Sequence, residues 1–123
     1  MHKPILLYDD DREILEVCRL ILERNGYQVI VRANCSEVIG DTETVKPGLI
    51  FMDLWIPEHG GEEAIFQLKA HSMAAFIPVF LFSANDNIEA IAIRCSANGF
   101  LRKPFSIAQL LTLVADNLQE ATS

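Results

Sequence analysis

Cysteine is scarce in this chain: Cys18, Cys35 and Cys95 are odd in number, widely spaced and form no Cys-x-x-Cys pair. His2, His59 and His71 are equally scattered. Neither a zinc site nor a disulfide framework is supported, and a reducing cytoplasm is the expected setting. Long apolar runs are missing too. None approaches the ~18 residues of a membrane span, and the four apolar residues after Met1-His2-Lys3-Pro4 are too few for a signal peptide. Basic residues are few: Lys and Arg total 10 against 17 Asp and Glu, a formal charge of −7. A broad grip on nucleic acid is therefore not expected, because phosphate neutralisation needs Lys and Arg. No repeat or low-complexity segment occurs, and only Glu120 to Ser123 reads as a frayed tail.

What is present is half hydrophobic over 123 residues, enough for one compact domain with a real core, expected to span 1–123. The central stretch is Leu49-Ile50-Phe51-Met52-Asp53-Leu54-Trp55-Ile56-Pro57. Four apolar residues run into one carboxylate, which suits a strand buried on both faces with an acid where the chain leaves the sheet. Four similar runs are Ile5 to Tyr8, Tyr27 to Val31, Ile77 to Phe82 and Phe100 to Arg102. Helical stripes fall between and after them. Ile14, Val17, Cys18, Ile21 and Leu22 recur at helical spacing, with Asp10 or Asp11 as cap and Asn25-Gly26 as stop. Ser36 to Val45 is a weaker helix with Ser36 as its cap, and Glu62 to Ser72 turns Ile65 and Leu68 inward. A further helix buries Ile88, Ile91, Ala92 and Cys95 and ends at Asn98-Gly99. The last, begun by Phe105 or Ser106, aligns Ile107, Leu110, Leu111, Val114 and Leu118. Phe76, Phe80 and Phe82 read as core.

Strands alternating with helices predict a parallel sheet covered on both faces. Covering both faces requires the winding to reverse once, and ligands bind in the crevice this opens at the carboxyl ends of the strands. The residues at those ends are selective: Asp9 and Asp10 after the first run, Asp53 after the third, Ser83 after the fourth and Lys103 after the fifth. Converging carboxylates resist ionisation unless a divalent cation or the Lys103 ammonium relieves them. Carboxylate oxygens with retained waters are the ligand set of Mg²⁺. A hydroxyl and an ammonium beside one carboxylate suggest an anion, most simply a phosphoryl group carried on Asp53.

These motifs, with Val79-Phe80-Leu81-Phe82-Ser83-Ala84 and Gly99-Phe100-Leu101-Arg102-Lys103-Pro104-Phe105, resemble those of a response-regulator receiver domain of two-component signalling over essentially the whole chain. The resemblance implies a flavodoxin-like α/β fold, a doubly wound five-stranded parallel sheet in order 2-1-3-4-5 with five helices. That order is the one known for the family's chemotaxis member, and the spacing of the motifs does not by itself supply it. The resemblance further implies a signalling protein rather than an enzyme, catalysing only its own Mg²⁺-dependent phosphorylation and dephosphorylation. Asp53 would take the phosphoryl group from a histidine kinase or histidine phosphotransfer protein. Asp10, Asp53 and the backbone carbonyl of Trp55 would ligate Mg²⁺, with Asp9 acting mostly through a bound water. Lys103 would pair with Asp53 and then with the phosphoryl oxygens, which Ser83 and Ala84 would also bind. Ser83 would draw its loop inward, reported by the rotamer of Phe100, and the outward face of helix four, strand five and helix five would meet a downstream partner. The Lys103–Pro104 bond is a candidate cis peptide. Direct nucleic-acid or membrane contact is not expected, nor is an output domain within these residues.

Three positions depart from the usual pattern. Phe100 lacks the hydroxyl of the more frequent tyrosine, which predicts a less sharply two-state switch. Trp55 is bulky enough to shield an acyl phosphate from water. Asp11 completes a triple acid and is expected to cap a helix. His59 reads as a loop residue, not a base. Two alternatives stand beside this reading. A Mg²⁺-dependent phosphohydrolase of the haloacid dehalogenase type would use Asp9-x-Asp11, but Glu13 stands where that family has Thr or Val. A degenerate receiver acting only as an interaction module would not need all five site residues.

Overall fold

A computed structural model describes residues 2–54 and 60–121. Five strands, β1 (Ile5–Tyr8), β2 (Val29–Arg32), β3 (Leu49–Asp53), β4 (Val79–Ser83) and β5 (Gly99–Arg102), form one sheet in the order β2-β1-β3-β4-β5. Every pairing is parallel. The helices are α1 (Arg12–Arg24), α2 (Val38–Val45), α3 (Gly61–Ala70), α4 (Ile88–Arg94) and α5 (Ile107–Asn117). The order reverses between β1 and β3, as a sheet wound in both directions requires.

Side chains alternate across a strand, so each central strand serves two cores. Leu6, Tyr8, Ile50, Met52 and Leu81 face a cluster completed by α2, α3 and α4 through Val38, Ile65, Leu68, Ile88 and Ile91. Ile5, Leu7, Leu49, Phe51 and Phe82 face another, completed by α1 and α5 through Leu15, Cys18, Leu22, Leu110 and Val114. Burial on both faces is why β1, β3 and β4 consist of uninterrupted apolar residues up to their ends.

The helix boundaries follow the caps. Asp11 closes the start of α1, accepting from the backbone N–H groups of Glu13 and Ile14. The buried face of α1 differs from the expected stripe: Leu15, Cys18 and Leu22 are buried, Ile14 and Ile21 are only partly covered, and Val17 is exposed. Ser36 does not cap α2. Its hydroxyl and N–H both bond the Asn34 side chain, and the position before the helix, Glu37, makes no side-chain cap. β2 begins two residues later than expected, at Val29. α4 ends at Arg94, well before Asn98-Gly99, with Ser96 in the left-handed region at φ 63°. In α5 the buried residues are Leu110 and Val114, with Leu118 buried just past its end, while Ile107 is exposed. Phe80 and Phe82 are core, but Phe76, in the turn before β4, is 83% exposed.

Ser106 begins α5 with a reciprocal capping box: its hydroxyl accepts from the Gln109 N–H, and the Gln109 side chain accepts from the Ser106 N–H. Ser106→Ala is expected to lower unfolding stability by about 1 kcal/mol, measured by urea denaturation. An unchanged midpoint would show that the box contributes nothing.

Candidate functional site

The reversal between β1 and β3 places Asp9 and Asp10 beside Asp53 at the carboxyl edge of the sheet. Asp9 and Asp53 are buried, whereas Asp10 is exposed. One carboxylate oxygen from each of the three lies within 4.8 Å of the others. Lys103, carried just past β5, reaches into this cluster. Its Nζ is 2.6 Å from Asp9 Oδ2 and 3.4 Å from Asp53 Oδ1, and lies 4.5 Å from the centroid of the Phe82 ring. The lysine therefore bridges two acids, and the shorter contact is to Asp9 rather than to Asp53. The other Asp9 oxygen, Oδ1, accepts from the Asp11 N–H at 2.9 Å.

Burial pushes the Asp53 carboxyl up to about 6, the Asp9 charge adds to the rise, and Lys103 opposes it. An acid held this far above its ordinary range is a poor anion until positive charge arrives. The three convergent carboxylates fit a hard divalent cation such as Mg²⁺, which takes oxygen ligands. Asp9, Asp10 and Asp53 are the described residues that could hold it. The expected ligand carbonyl of Trp55, its shielding role and His59 lie outside the described residues.

Ser83 ends β4 and is buried. Its Oγ accepts from the Asn85 N–H at 3.1 Å, so the hydroxyl proton is left for another acceptor. Ala84, next in the chain, is exposed. The backbone N–H of Lys103 donates to the Ser83 carbonyl at 2.9 Å, tying the two residues across neighbouring strands. The Lys103–Pro104 peptide is cis, as expected.

Phe100 is half-buried against the α2–α3–α4 core. The Arg102 guanidinium lies 5.7 Å from the centroid of its ring and donates to the Asn85 carbonyl at 3.1 Å. Arg102 thus touches both Phe100 and the loop that follows Ser83, a role its place in the sequence does not disclose. The available signal is the alternation of β5, which puts residues 100 and 102 on one face. Tyr8 likewise reads in the sequence only as core. It is fully buried, yet its hydroxyl donates to Asp41 Oδ2 at 2.7 Å, and Arg32 approaches the same carboxylate at 3.5 Å. Burial and the Asp41 charge raise the phenol far above its ordinary value.

A doubly wound sheet with a buried aspartate at the end of β3, two further acids and a lysine beside it, and a buried serine ending the next strand, defines the class of fold and site. Comparison with known proteins narrows that class. Residues 5–115 match the family described as "Response regulator receiver domain", and the chain belongs to it. It is 32% identical over 108 residues to the alkaline phosphatase synthesis transcriptional regulatory protein PhoP of Bacillus subtilis, covering 86% of this chain and 44% of that protein. It is 28% identical over 116 residues to the phosphate regulon transcriptional regulatory protein PhoB of Escherichia coli, covering 93% of this chain and 51% of that one. The chain thus spans about half the length of these curated relatives. Chemotaxis protein CheY4 of Vibrio cholerae shares the fold, with a TM-score of 0.87, 22% identity and coverage of 96% of this chain and 100% of that one. Among the described residues no helix is long and apolar enough to cross a membrane.

Proposed function

We propose that Asp53 is the phosphoacceptor of a two-component phosphorelay. The observation that carries this reading is the convergence of a buried Asp53 with Asp9, Asp10 and Lys103, beside a β4 that ends in Ser83. A carboxylate oxygen of Asp53 attacks the phosphorus of a phosphohistidine on a histidine kinase or histidine phosphotransfer protein. The P–N bond breaks, and an acyl phosphate forms on Asp53. Mg²⁺ held by Asp9, Asp10 and Asp53 supplies charge neutralisation when bound.

This chain's own groups do the rest. Lys103 is already positioned between Asp9 and Asp53, where it can balance the phosphoryl oxygens. Ser83 and Ala84 bind the phosphoryl group, the Ser83 hydroxyl donating its free proton while still accepting from Asn85. Drawing this loop inward then strains the Arg102 contact to the Asn85 carbonyl. That couples the site to Phe100 and to the face of α4, β5 and α5, where Ile93 is 75% exposed and available to a downstream partner. Under this reading the chain, one receiver domain over 1–123, acts in the cytoplasm without touching nucleic acid or membrane.

The haloacid dehalogenase alternative gains no support, because Asp11 is engaged in capping α1. The test is labelling with phosphoramidate or acetyl phosphate in Mg²⁺, read by intact mass. One added phosphoryl group is expected, lost in Asp53→Asn and lost on chelation of the metal. A label that persists in Asp53→Asn overturns the assignment, and no label on the native chain favours the interaction module.

A further inference from the structure

At the edge of the sheet opposite Asp53, where the strands begin, lies a hollow of about 420 Å³. Its apolar wall is Pro47, Met73, Phe76 and Ile77. Met73 and Phe76 are 78% and 83% exposed, on the turn that follows α3. Lys3 and Lys46 also line it, two of the chain's four lysines. Among the described residues neither has a carboxylate within ion-pair distance. Glu43 is the one carboxylate in the lining. His71 accepts at Nδ1 from the N–H groups of Met73 and Ala74, so its neutral ring carries the proton at Nε2 and adds a donor rather than an acceptor.

The walls are tied together. The Gln119 side chain donates to the Phe76 carbonyl at 3.0 Å, its N–H donates to the Gly48 carbonyl at 3.2 Å, and its carbonyl accepts from the Lys3 N–H at 3.1 Å. The hollow therefore exists before anything enters it, which spares an occupant the cost of ordering it.

We propose that this hollow is a binding site for a small organic anion with an aromatic body. The volume lies in the range of small-ligand pockets, about 300–1,000 Å³. A flat ring can stack against the Phe76 ring and meet the Met73 thioether, both of which favour aromatic partners. The anionic group meets the two lysines, in a chain whose acids otherwise prevail by seven charges. An isolated cation pair at a mouth this open is worth little, and the apolar wall alone is not selective; the two together fit one class of ligand.

The test uses anilinonaphthalene sulfonate, an aromatic anion whose fluorescence rises on binding, and its uncharged analogue phenylnaphthylamine. The expected result is one saturable site for the anion. Phe76→Ser, Lys3→Glu and Lys46→Glu each weaken it about 5-fold or more, the size of one lost contact near 1 kcal/mol. Phenylnaphthylamine binds more weakly and does not respond to the lysine changes. Phe76 and Lys46 are exposed and Lys3 is only partly covered, so the variants fold, which far-UV circular dichroism checks. The control is Val17→Ser in a separate apolar groove, which Ile14, Val17, Ile21, Phe105 and Ile107 line beside Lys103. Binding unchanged by Phe76→Ser and the lysine variants, or lost only in Val17→Ser, overturns the proposal. So does a dye-induced dimer by sedimentation, which would make the patch a contact between copies.

Discussion

Gly61→Ala is expected to destabilise the chain by roughly 3 kcal/mol and to disturb Asp53 directly. Gly61 is buried at the first turn of α3, and its N–H donates to the Leu54 carbonyl. A Cβ built there would collide with the Asp53 carbonyl oxygen and sit 2.8 Å from its carbonyl carbon. Both atoms are backbone, so no side-chain rotation relieves the clash. Either α3 moves away from the sheet or the end of β3 moves, and Asp53 is the last residue of β3. The neighbouring Gly60 serves a different purpose. It has φ +68° and ψ 143°, outside the left-handed helical region, and nothing within 4 Å of a built Cβ, so Gly60→Ala meets only backbone strain, about 1–3 kcal/mol. Urea unfolding of both variants separates the two glycines. Gly61→Ala should show the larger loss and a slower phosphoryl labelling rate in the fraction that remains folded. A Gly61→Ala chain within about 1 kcal/mol of native stability, labelled at the native rate, would show that the close approach of α3 to β3 does not position the site.

The strands and the site are legible in the amino-acid order for the same reason. β1, β3 and β4 are buried on both faces, so each is written as an apolar run, and each run ends where a polar residue must appear. Asp9, Asp53 and Ser83 are those residues, and their convergence follows from the sheet order. What stays hidden depends on side-chain direction across the fold. Lys103 can be placed at the crevice, yet nothing in its neighbours says that its Nζ lies closer to Asp9 than to Asp53. The buried face of α1 differs from the expected one because Ile14, Val17 and Ile21 are as apolar as Leu15, so apolar spacing alone does not choose between overlapping stripes, and packing against the sheet does. Tyr8 looks like any other apolar strand end, and its bond to Asp41 joins residues 33 positions apart. Phe76 resembles its neighbours Phe80 and Phe82 in type, but it precedes the strand and escapes the two-face burial that covers them. Phe100 is expected to lack a polar tether for want of a hydroxyl. Arg102 lies over its ring, so the aromatic has a partner that belongs to the same strand.

The metal-free protein is expected to lose stability as pH rises from about 4 to 6, and Asp53→Asn to abolish that loss. The Asp53 carboxyl titrates near 6 in the folded chain, against about 4 for an unfolded one. Between those values the folded state keeps a proton that the unfolded state has released. Stability therefore falls with rising pH across this window, and the penalty is complete above about 6. Its size is on the order of 2–3 kcal/mol, about 1.4 kcal/mol for each unit of the rise. The cause is burial first and the Asp9 charge second, with Lys103 restraining the shift. Asparagine at position 53 has no charge to desolvate and no repulsion with Asp9. The substitution does not strand Lys103, whose shorter contact is to Asp9 at 2.6 Å. In EDTA, Asp53→Asn should thus be more stable than the native chain at pH 8 by about 1–2 kcal/mol, and the gap should close towards pH 4.5. Adding Mg²⁺ at pH 8 should raise the native stability by mass action and the variant's much less, because the cation binds the ionised acid of the folded state. Thermal or urea unfolding across this pH range decides the matter. A gap that does not change with pH, or a variant less stable at pH 8, would mean that Asp53 is not the strained acid its burial beside Asp9 makes it.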